Sequence, residues 1–544
     1  MKKIMKRNRF RFFVGLFALG TSIGAYSCKE KEFFGEDPYA GGKEALGVSF
    51  IGDYSDPEGG APGTEVKFGI KGLKKWDNKF KFYLNEQESQ VVDLTDSTIT
   101  VIVPELVSSG GASVRLEGQV FFGPRFDVEG SISIDKNYAI VNGTNYQIAD
   151  ALEVDNNLIL VGGFTNFENQ ATKQKPINSV VAINEKGQLS TAYNFELGAS
   201  GNINSILKLN NNQFIVAGGL SGFNNHSGIM GITRLNYDGK LDTSIVEVIN
   251  LTPANEKMGL DTIPTFNGGV YGGIRQAFLQ KMPNNEEMIV AIGGFRQYGT
   301  YYLERATRDY KPVDITNIPN VVRMDIHGNI DSTYAKNPSS TGFHTFANGD
   351  ITAGYMDASN RLVIVGSFTT FQGKPANRIV RLDANGQVDD TFNPGTGANG
   401  NITNIQFDPV SNTFFIVGAF TQYNGVNTPG IVRLKADGSI DDTFKFKSLE
   451  GGIPTFAKQL SSGKILVTGT FERYDNILRR GMLILESDGE AKQEYNSYGA
   501  FQGTVSKVIE TTSSNGNPAL ILMGYIRKFN DQDAKNILKI EFTN

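Results

Sequence analysis

Between residues 64 and 103 the chain alternates apolar and polar positions. Thr64–Ile70, Lys79–Leu84 and Thr98–Val103 each repeat with a period of two, the signature of half-buried strands. Pro57–Gly63, Asn85 and Ser108–Gly111 punctuate them with turn residues. Six or seven short strands in about 85 residues predict an Ig-like β-sandwich over residues 44–128. Beyond it the pattern changes from single strands to a recurring unit. A β-branched or apolar run ends in Gly162-Gly163-Phe164, and variants follow at Gly218-Gly219-Leu220, Gly293-Gly294-Phe295, Gly366-Ser367-Phe368, Gly418-Ala419-Phe420, Gly469-Thr470-Phe471 and Gly524-Tyr525-Ile526. The first glycines lie 56, 75, 73, 52, 51 and 55 residues apart, which gives seven copies, two of them enlarged.

A second pattern follows each of the first six copies: an apolar strand, a turn, then Asp in the clearest forms. Arg381–Phe392 and Arg433–Phe444 are the clearest, with weaker forms at Arg234–Asp242, Arg323–Asp331, Val181–Leu189 and Ile484–Gly489. Asn-Gly and Asp-Gly favour the positive φ of hairpin turns. Each unit reads as four short antiparallel strands, which is one propeller blade. A β-solenoid, with coils of about 20–30 residues, fits a unit of this length poorly. The fold class is therefore all-β: an Ig-like β-sandwich followed by a seven-bladed β-propeller over residues 129–544. The last unit stops at Ile537–Phe542 without its own outer strand. The alternating stretch Gly130–Asp135 has no partner in its own repeat, so it is predicted to supply that strand and close the ring.

Two resemblances attach to these residues. Gly60-Ala61-Pro62-Gly63-Thr64 with Val66, Phe68 and Ile70, and Ile99–Pro104 with Gly110, Gly111 and Val114–Leu116, resemble the IPT/TIG domains. Such domains act as spacers or interaction modules. Val365–Gly373, Val417–Gly425 and the two Arg-Leu…Asp-Asp-Thr-Phe runs resemble the delta-60 repeat β-propellers. Trp76, the only tryptophan, reads as a half-buried packing residue.

The N-terminus changes the picture of where the protein resides. Six basic residues and no acid precede Ser27, an apolar run extends from Phe12 to Ile23, and small residues lead to Cys28. That is a signal peptide over residues 1–27, with an h-region too short to span a bilayer. Cys28 is the only cysteine in the chain and resembles the lipidated residue of a bacterial lipoprotein, although Ala25 stands where Leu is usual. Cleavage removes six positive charges and no acid, taking the formal charge from −5 to −11. Residues 28–43 read as a flexible tether, and Lys29 with the acidic stretch resembles the export signal of Bacteroidota surface lipoproteins. The expected location is the outer membrane, lipid-anchored at Cys28 and exposed at the cell surface.

Composition narrows the chemistry. The acidic balance argues against nucleic-acid binding. One cysteine excludes internal disulfides, and three histidines leave little for a metal centre. Asp383-Ala384-Asn385-Gly386 begins like a calcium loop but lacks the closing glutamate and helix, so it reads as a turn. Arg234, Arg323, Arg381 and Arg433 recur in register, which points to a structural ion pair in each blade. No nucleophile elbow, P-loop or dinucleotide fingerprint stands out, so no catalytic residues and no cofactor or metal are expected.

Irregularity concentrates in two insertions, residues 245–285 and 296–320. The second carries Arg296, Tyr298, Tyr301, Tyr302, Arg305, Arg308 and Tyr310, residue types enriched at binding hot spots. These are the candidate ligand or partner contacts; a solvated loop packed on its own blade is the other reading. The resemblances imply a Bacteroidota cell-surface accessory protein of a SusCD-like nutrient importer, holding a glycan or a peptide. A structural or adhesion module, or an extracellular propeller lyase or hydrolase, are the alternatives.

Overall fold

The computed structural model describes residues 45–337, 342–344 and 346–543. The signal peptide, Cys28 and the tether lie outside the described residues. Residues 47–544 form one compact unit.

The first part is a two-sheet sandwich. Ser49–Asp56, Glu65–Lys71, Thr98–Ile102 and Val91–Leu94 form one sheet in that order. Gly59–Gly60, Gln119–Val128, Gly110–Leu116, Phe80–Leu84 and Gln87–Ser89 form the other. The alternation decides what lies between them: Val66, Phe68, Ile70, Ile99 and Val101 face Phe82, Val114 and Phe126, all almost fully buried. The Phe68 and Phe82 rings meet at 5.2 Å between centroids. Trp76 ends a short 3-10 turn, half-buried.

Seven of the sheets that follow are blades. Blade 1 is built on Ile148–Val154, Asn157–Gly162 and Val180–Asn184, blade 4 on Ile351–Met356, Leu362–Gly366 and Ile379–Leu382, and the others in the same order. Inner strands of successive blades adjoin one another, and that of blade 7, Gln502–Thr512, returns to that of blade 1, so the ring is closed. The sequence predicted four strands per blade. In blades 1 to 5 the outer one is reduced to a single bridge, as at Leu382↔Val388 and Leu434↔Ile440. Among the described residues blade 7 alone has a paired outer strand, Ile132–Ile134 against Phe542, Glu541 and Ile540, the closure expected from Gly130–Asp135.

The glycine motif has a steric cause. In all seven blades the inner strand bulges opposite the motif's first glycine. The bulged residues are Ala149, Asn204, Arg275, Thr352, Thr403, Thr455 and Ser506. A bulge bends the strand and re-aims a side chain. It also brings a carbonyl onto the glycine: a Cβ on Gly366 would lie 2.0 Å from the Asp350 oxygen, and one on Gly418 2.1 Å from that of Asn401. The middle motif position varies: at Gly294 a Cβ meets nothing within 4 Å, whereas at Gly219 it meets the Asn202 side chain at 2.6 Å. The third, Phe or a branched aliphatic, is at most 2% exposed in every blade.

The second motif joins blades. Arg381 pairs with Asp389 at 2.7 Å and its Nη1 donates to the Ala436 carbonyl of the next blade at 2.8 Å. Arg433 repeats this with Asp441 and the Ser487 carbonyl, Arg323 with Asp331 and Ala384, and Arg234 with Asp242 and Ile326. Each guanidinium is at most 8% exposed. Where the residue three positions after the Asp is aromatic (Tyr334, Phe392 and Phe444) it stacks on that arginine, and Tyr334 and Phe392 also fill the space beside the next turn glycine. Phe392 does so against Gly438, which sits at φ +89. At the closing junction Lys539 takes the arginine's place, Asp135 stands 3.6 Å from it, and Tyr138 stacks on Lys539 and packs against Gly187 of blade 1. Asp135-Lys136-Asn137-Tyr138 is thus the same word as Asp331-Ser332-Thr333-Tyr334, displaced to the other end of the propeller sequence.

Candidate functional site

The two insertions do not form loose loops. Thr243–Glu247 and Leu260–Pro264 pair as a hairpin, and Gly269–Tyr271, Gln297–Tyr301 and Val313–Asn317 form a three-stranded sheet. The central strand of that sheet joins a segment from each insertion, so both belong to one lobe on blade 3. Val270 N–H donates to the Met230 carbonyl of blade 2, and Asn267 N–H to that of His327. The lobe is therefore tied to both blades beside it.

A cleft of about 290 Å³ opens between this lobe and the loop 225–232 of blade 2. Ile229, Ile232 and Phe266, all nearly buried, supply its apolar surface. Asp261 and Lys311, one from each insertion, line it as an ion pair at 2.7 Å. Arg308, Asp309 and His226 add further polar groups. Tyr301 bridges the walls: its hydroxyl donates to the Gly228 carbonyl at 2.7 Å, and its backbone is held in both directions by the Asn267 amide. Burial, and then the neighbouring Tyr271, push the Tyr301 phenol up, so it stays a neutral donor. The arrangement offers both charge signs over a small apolar surface, which suits a polar ligand. Among the described residues no group of three His, Cys, Asp or Glu side chains is placed to hold a metal ion.

The sequence-predicted contacts divide. Tyr301 and Arg308 line the cleft. Tyr302, Arg305 and Tyr310 are exposed on the lobe, with the Arg305 guanidinium 5.1 Å from the Tyr302 ring. Arg296 is exposed, and its carbonyl accepts from Ile318 N–H. Tyr298 is no surface contact: it is 1% exposed and its hydroxyl donates to the Gly328 carbonyl at 2.7 Å. A strand of alternating faces puts Tyr298 inward, and the residue-type argument missed this. Sequence reasoning also missed Asp261, Lys311, His226 and Asn267. The pairing of Asp261 with Lys311 spans 50 residues and has no local signal.

The sandwich packs onto the same face of the ring as the cleft. Glu86 pairs with Arg473 and Arg480 at 3.0 Å each, and Arg125 with Asp531. Ser109 N–H donates to the Ser497 carbonyl at 2.7 Å. These partners lie in the loops between the second and third strands of blades 6 and 7 and in the connection between those blades. The cleft uses the corresponding loops of blades 2 and 3. In an up-and-down sheet, loops of one class share a face, so sandwich and lobe stand on one side of the disc at separate blades.

Comparison with known proteins bears on this architecture. No curated protein matches the sequence. Among solved structures, similarity extends to an auxiliary nutrient binding protein from Bacteroides ovatus, at 10% identity over 91% of this chain and 98% of the other, with a TM-score of 0.26. Another auxiliary nutrient binding protein, from Bacteroides thetaiotaomicron, matches at 12% identity over 91% and 98%, with a TM-score of 0.28. The β-propeller domain of Myceliophteria thermophila Cps50 matches at 10% identity over 73% and 100%, with a TM-score of 0.29. Residues 26–124 match a domain of unknown function, DUF5008. Residues 358–392, 415–444 and 460–491, the regular parts of blades 4, 5 and 6, match the DUF5122 β-propeller family.

Proposed function

We propose that this protein is a non-catalytic accessory component of nutrient uptake at the outer membrane, lipid-anchored at Cys28, and that the cleft on blade 3 holds a small polar nutrient, a glycan or a peptide. The cleft carries the reading. It is built by the only two insertions that break the repeat, it is held by hydrogen bonds, and it presents Asp261, Lys311, Arg308 and Asp309 around an apolar surface. A rigid site on a variable insertion suits ligand holding. The sandwich, fixed to blades 6 and 7 by Glu86 and Arg125, acts as a rigid arm of the disc. The partner in this reading is a SusC/SusD-like importer.

An adhesion role has its own observation. Ile245, Leu260, Ile249 and Leu251 are exposed on the hairpin's outer face and tip, an apolar surface suited to a macromolecular contact. Pull-down from outer membranes separates the two. Co-purification with a SusC-like barrel, and oligosaccharide or peptide binding weakened at least tenfold by Arg308→Ala, support nutrient uptake. Wild-type protein that binds neither ligand class and brings down no barrel supports adhesion. Mass spectrometry of the mature N-terminus tests the anchor, and an unmodified Cys28 overturns it.

A further inference from the structure

Seven equivalent bulges line the inner edge of the ring, and six of them carry a small neutral residue. The seventh is Arg275, on blade 3. Three of the other bulge side chains join neighbouring blades, and Thr403 and Thr455 donate to carbonyls of their own blade. Asn204 Nδ2 donates to the Ile274 carbonyl of blade 3 at 2.8 Å, and Thr352 Oγ1 to the Ile402 carbonyl of blade 5 at 2.7 Å. Ser506 accepts from Gln147 at 3.1 Å. Arg275 does none of this. Its side chain is exposed and makes no hydrogen bond or ion pair among the described residues. Its neighbours Ile274 and Ala277 are buried, so the bulge alone brings it out of the blade.

The position matters as much as the charge. The bulges oppose the glycines that end each second strand, so they lie toward the face that carries the cleft and the sandwich. Arg275 comes four residues after Tyr271, where the lobe strand Gly269–Tyr271 ends. Other charged groups on the inner strands are paired, Lys458 with Glu510 at 2.8 Å among them. Lys507 and Asp150 neutralise each other at 2.9 Å. Asp350, two residues before the blade 4 bulge, is exposed and is not ion-paired with Arg275 among the described residues. A guanidinium whose five donors have no partner among the described residues matches a planar, bidentate carboxylate.

We propose that Arg275, on the inner strand of blade 3 toward the face that carries the cleft, makes a carboxylate-binding subsite separate from the cleft. The carboxylate comes from a uronic acid residue of a glycan or from the C-terminus of a peptide, and the test distinguishes them. Titration calorimetry on the full chain compares trigalacturonic acid with neutral galactotriose, and a tripeptide with its C-terminal amide. The expected result is tighter binding of the acid in one of the pairs, weakened at least tenfold by Arg275→Gln. Asp350→Asn leaves the acid's affinity intact or raises it, by removing a competing carboxylate. Binding of the neutral trisaccharide or the peptide amide that Arg275→Gln spares belongs to the cleft, so failure of the cleft reading and failure of this one are distinguishable. Arg275→Gln keeps the wild-type melting temperature, because the side chain makes no bond among the described residues. Equal affinities within both pairs, no binding of either acid, or full retention of acid binding in Arg275→Gln overturns the proposal.

Discussion

Blades 4 and 3 are built on the same frame and differ almost entirely above it. In blade 4 the second strand ends at Gly366 and the third begins at Ile379; in blade 3 the same step runs from Gly293 to Val321 and carries part of the lobe. Yet both keep the bulge, the opposing glycine and the arginine hook, with Arg323 bonded to Ala384 just as Arg381 is to Ala436. The junction between blades tolerates little because its parts are buried and in contact. The loops on one face lie outside that junction, so they can lengthen without opening the ring. The comparison separates residues that hold the circle from residues free to take up a ligand.

Substitutions sharpen that division. The largest effect is expected at the bulge glycines. Gly418→Ala drives a Cβ into the Asn401 carbonyl, at an expected cost of about 4 kcal/mol in denaturant unfolding. Gly294→Ala, in open space one position on from a bulge glycine, is expected to stay within about 0.5 kcal/mol. Equal costs at the two sites would break the steric account. Next comes the closing junction. Asp135→Ala leaves Lys539 buried without its carboxylate and is expected to cost about 3–4 kcal/mol by the same measurement. Arg381→Leu strands Asp389 in the same way, at about 3 kcal/mol, and adding Asp389→Leu is expected to recover much of the loss.

A smaller, distributed effect follows pH. Burial raises the carboxyls of Asp331, Asp389 and Asp441, but hydrogen bonds from the following Thr and the arginine beside each outweigh it and hold all three below the usual carboxylate range. A depressed folded value means the unfolded chain takes up protons first. The stabilisation is complete above the unfolded carboxylate's pKa and is lost as pH falls through the folded value. Unfolding free energy measured from pH 6 down to pH 2 should therefore be flat and then fall, with a shallower fall in the Arg381→Leu, Asp389→Leu protein. The smallest effect belongs to the lobe: Tyr302→Ala and Tyr310→Ala are expected to change stability by no more than about 0.5 kcal/mol. A larger loss would place the lobe in the frame after all.

Much of the frame was legible in the chain because its determinants are local and repeated. The glycine motif gave the number of blades, the Asp-Gly turns gave the hairpins, and the in-register arginines gave an ion pair that the structure shows at Arg234, Arg323, Arg381 and Arg433. The closing strand was readable too, since Gly130–Asp135 alternates without a partner in its own repeat. The site was far less legible. Residue type pointed to the second insertion, and Tyr301 and Arg308 do line the cleft, but Tyr298 faces the core.

By itself, then, the sequence determined a ring of seven units and the side chains that lock one unit to the next, because turn and strand preferences act over a few residues and repetition multiplies their signal. Only the tertiary structure decided that two distant insertions would share a sheet, that Asp261 would meet Lys311, that Glu86 would find Arg473 and Arg480 on the ring, and that Arg275 would be brought out of blade 3 by its bulge. Those outcomes depend on contacts between segments far apart in the chain, each made once. A contact made once leaves no period to read.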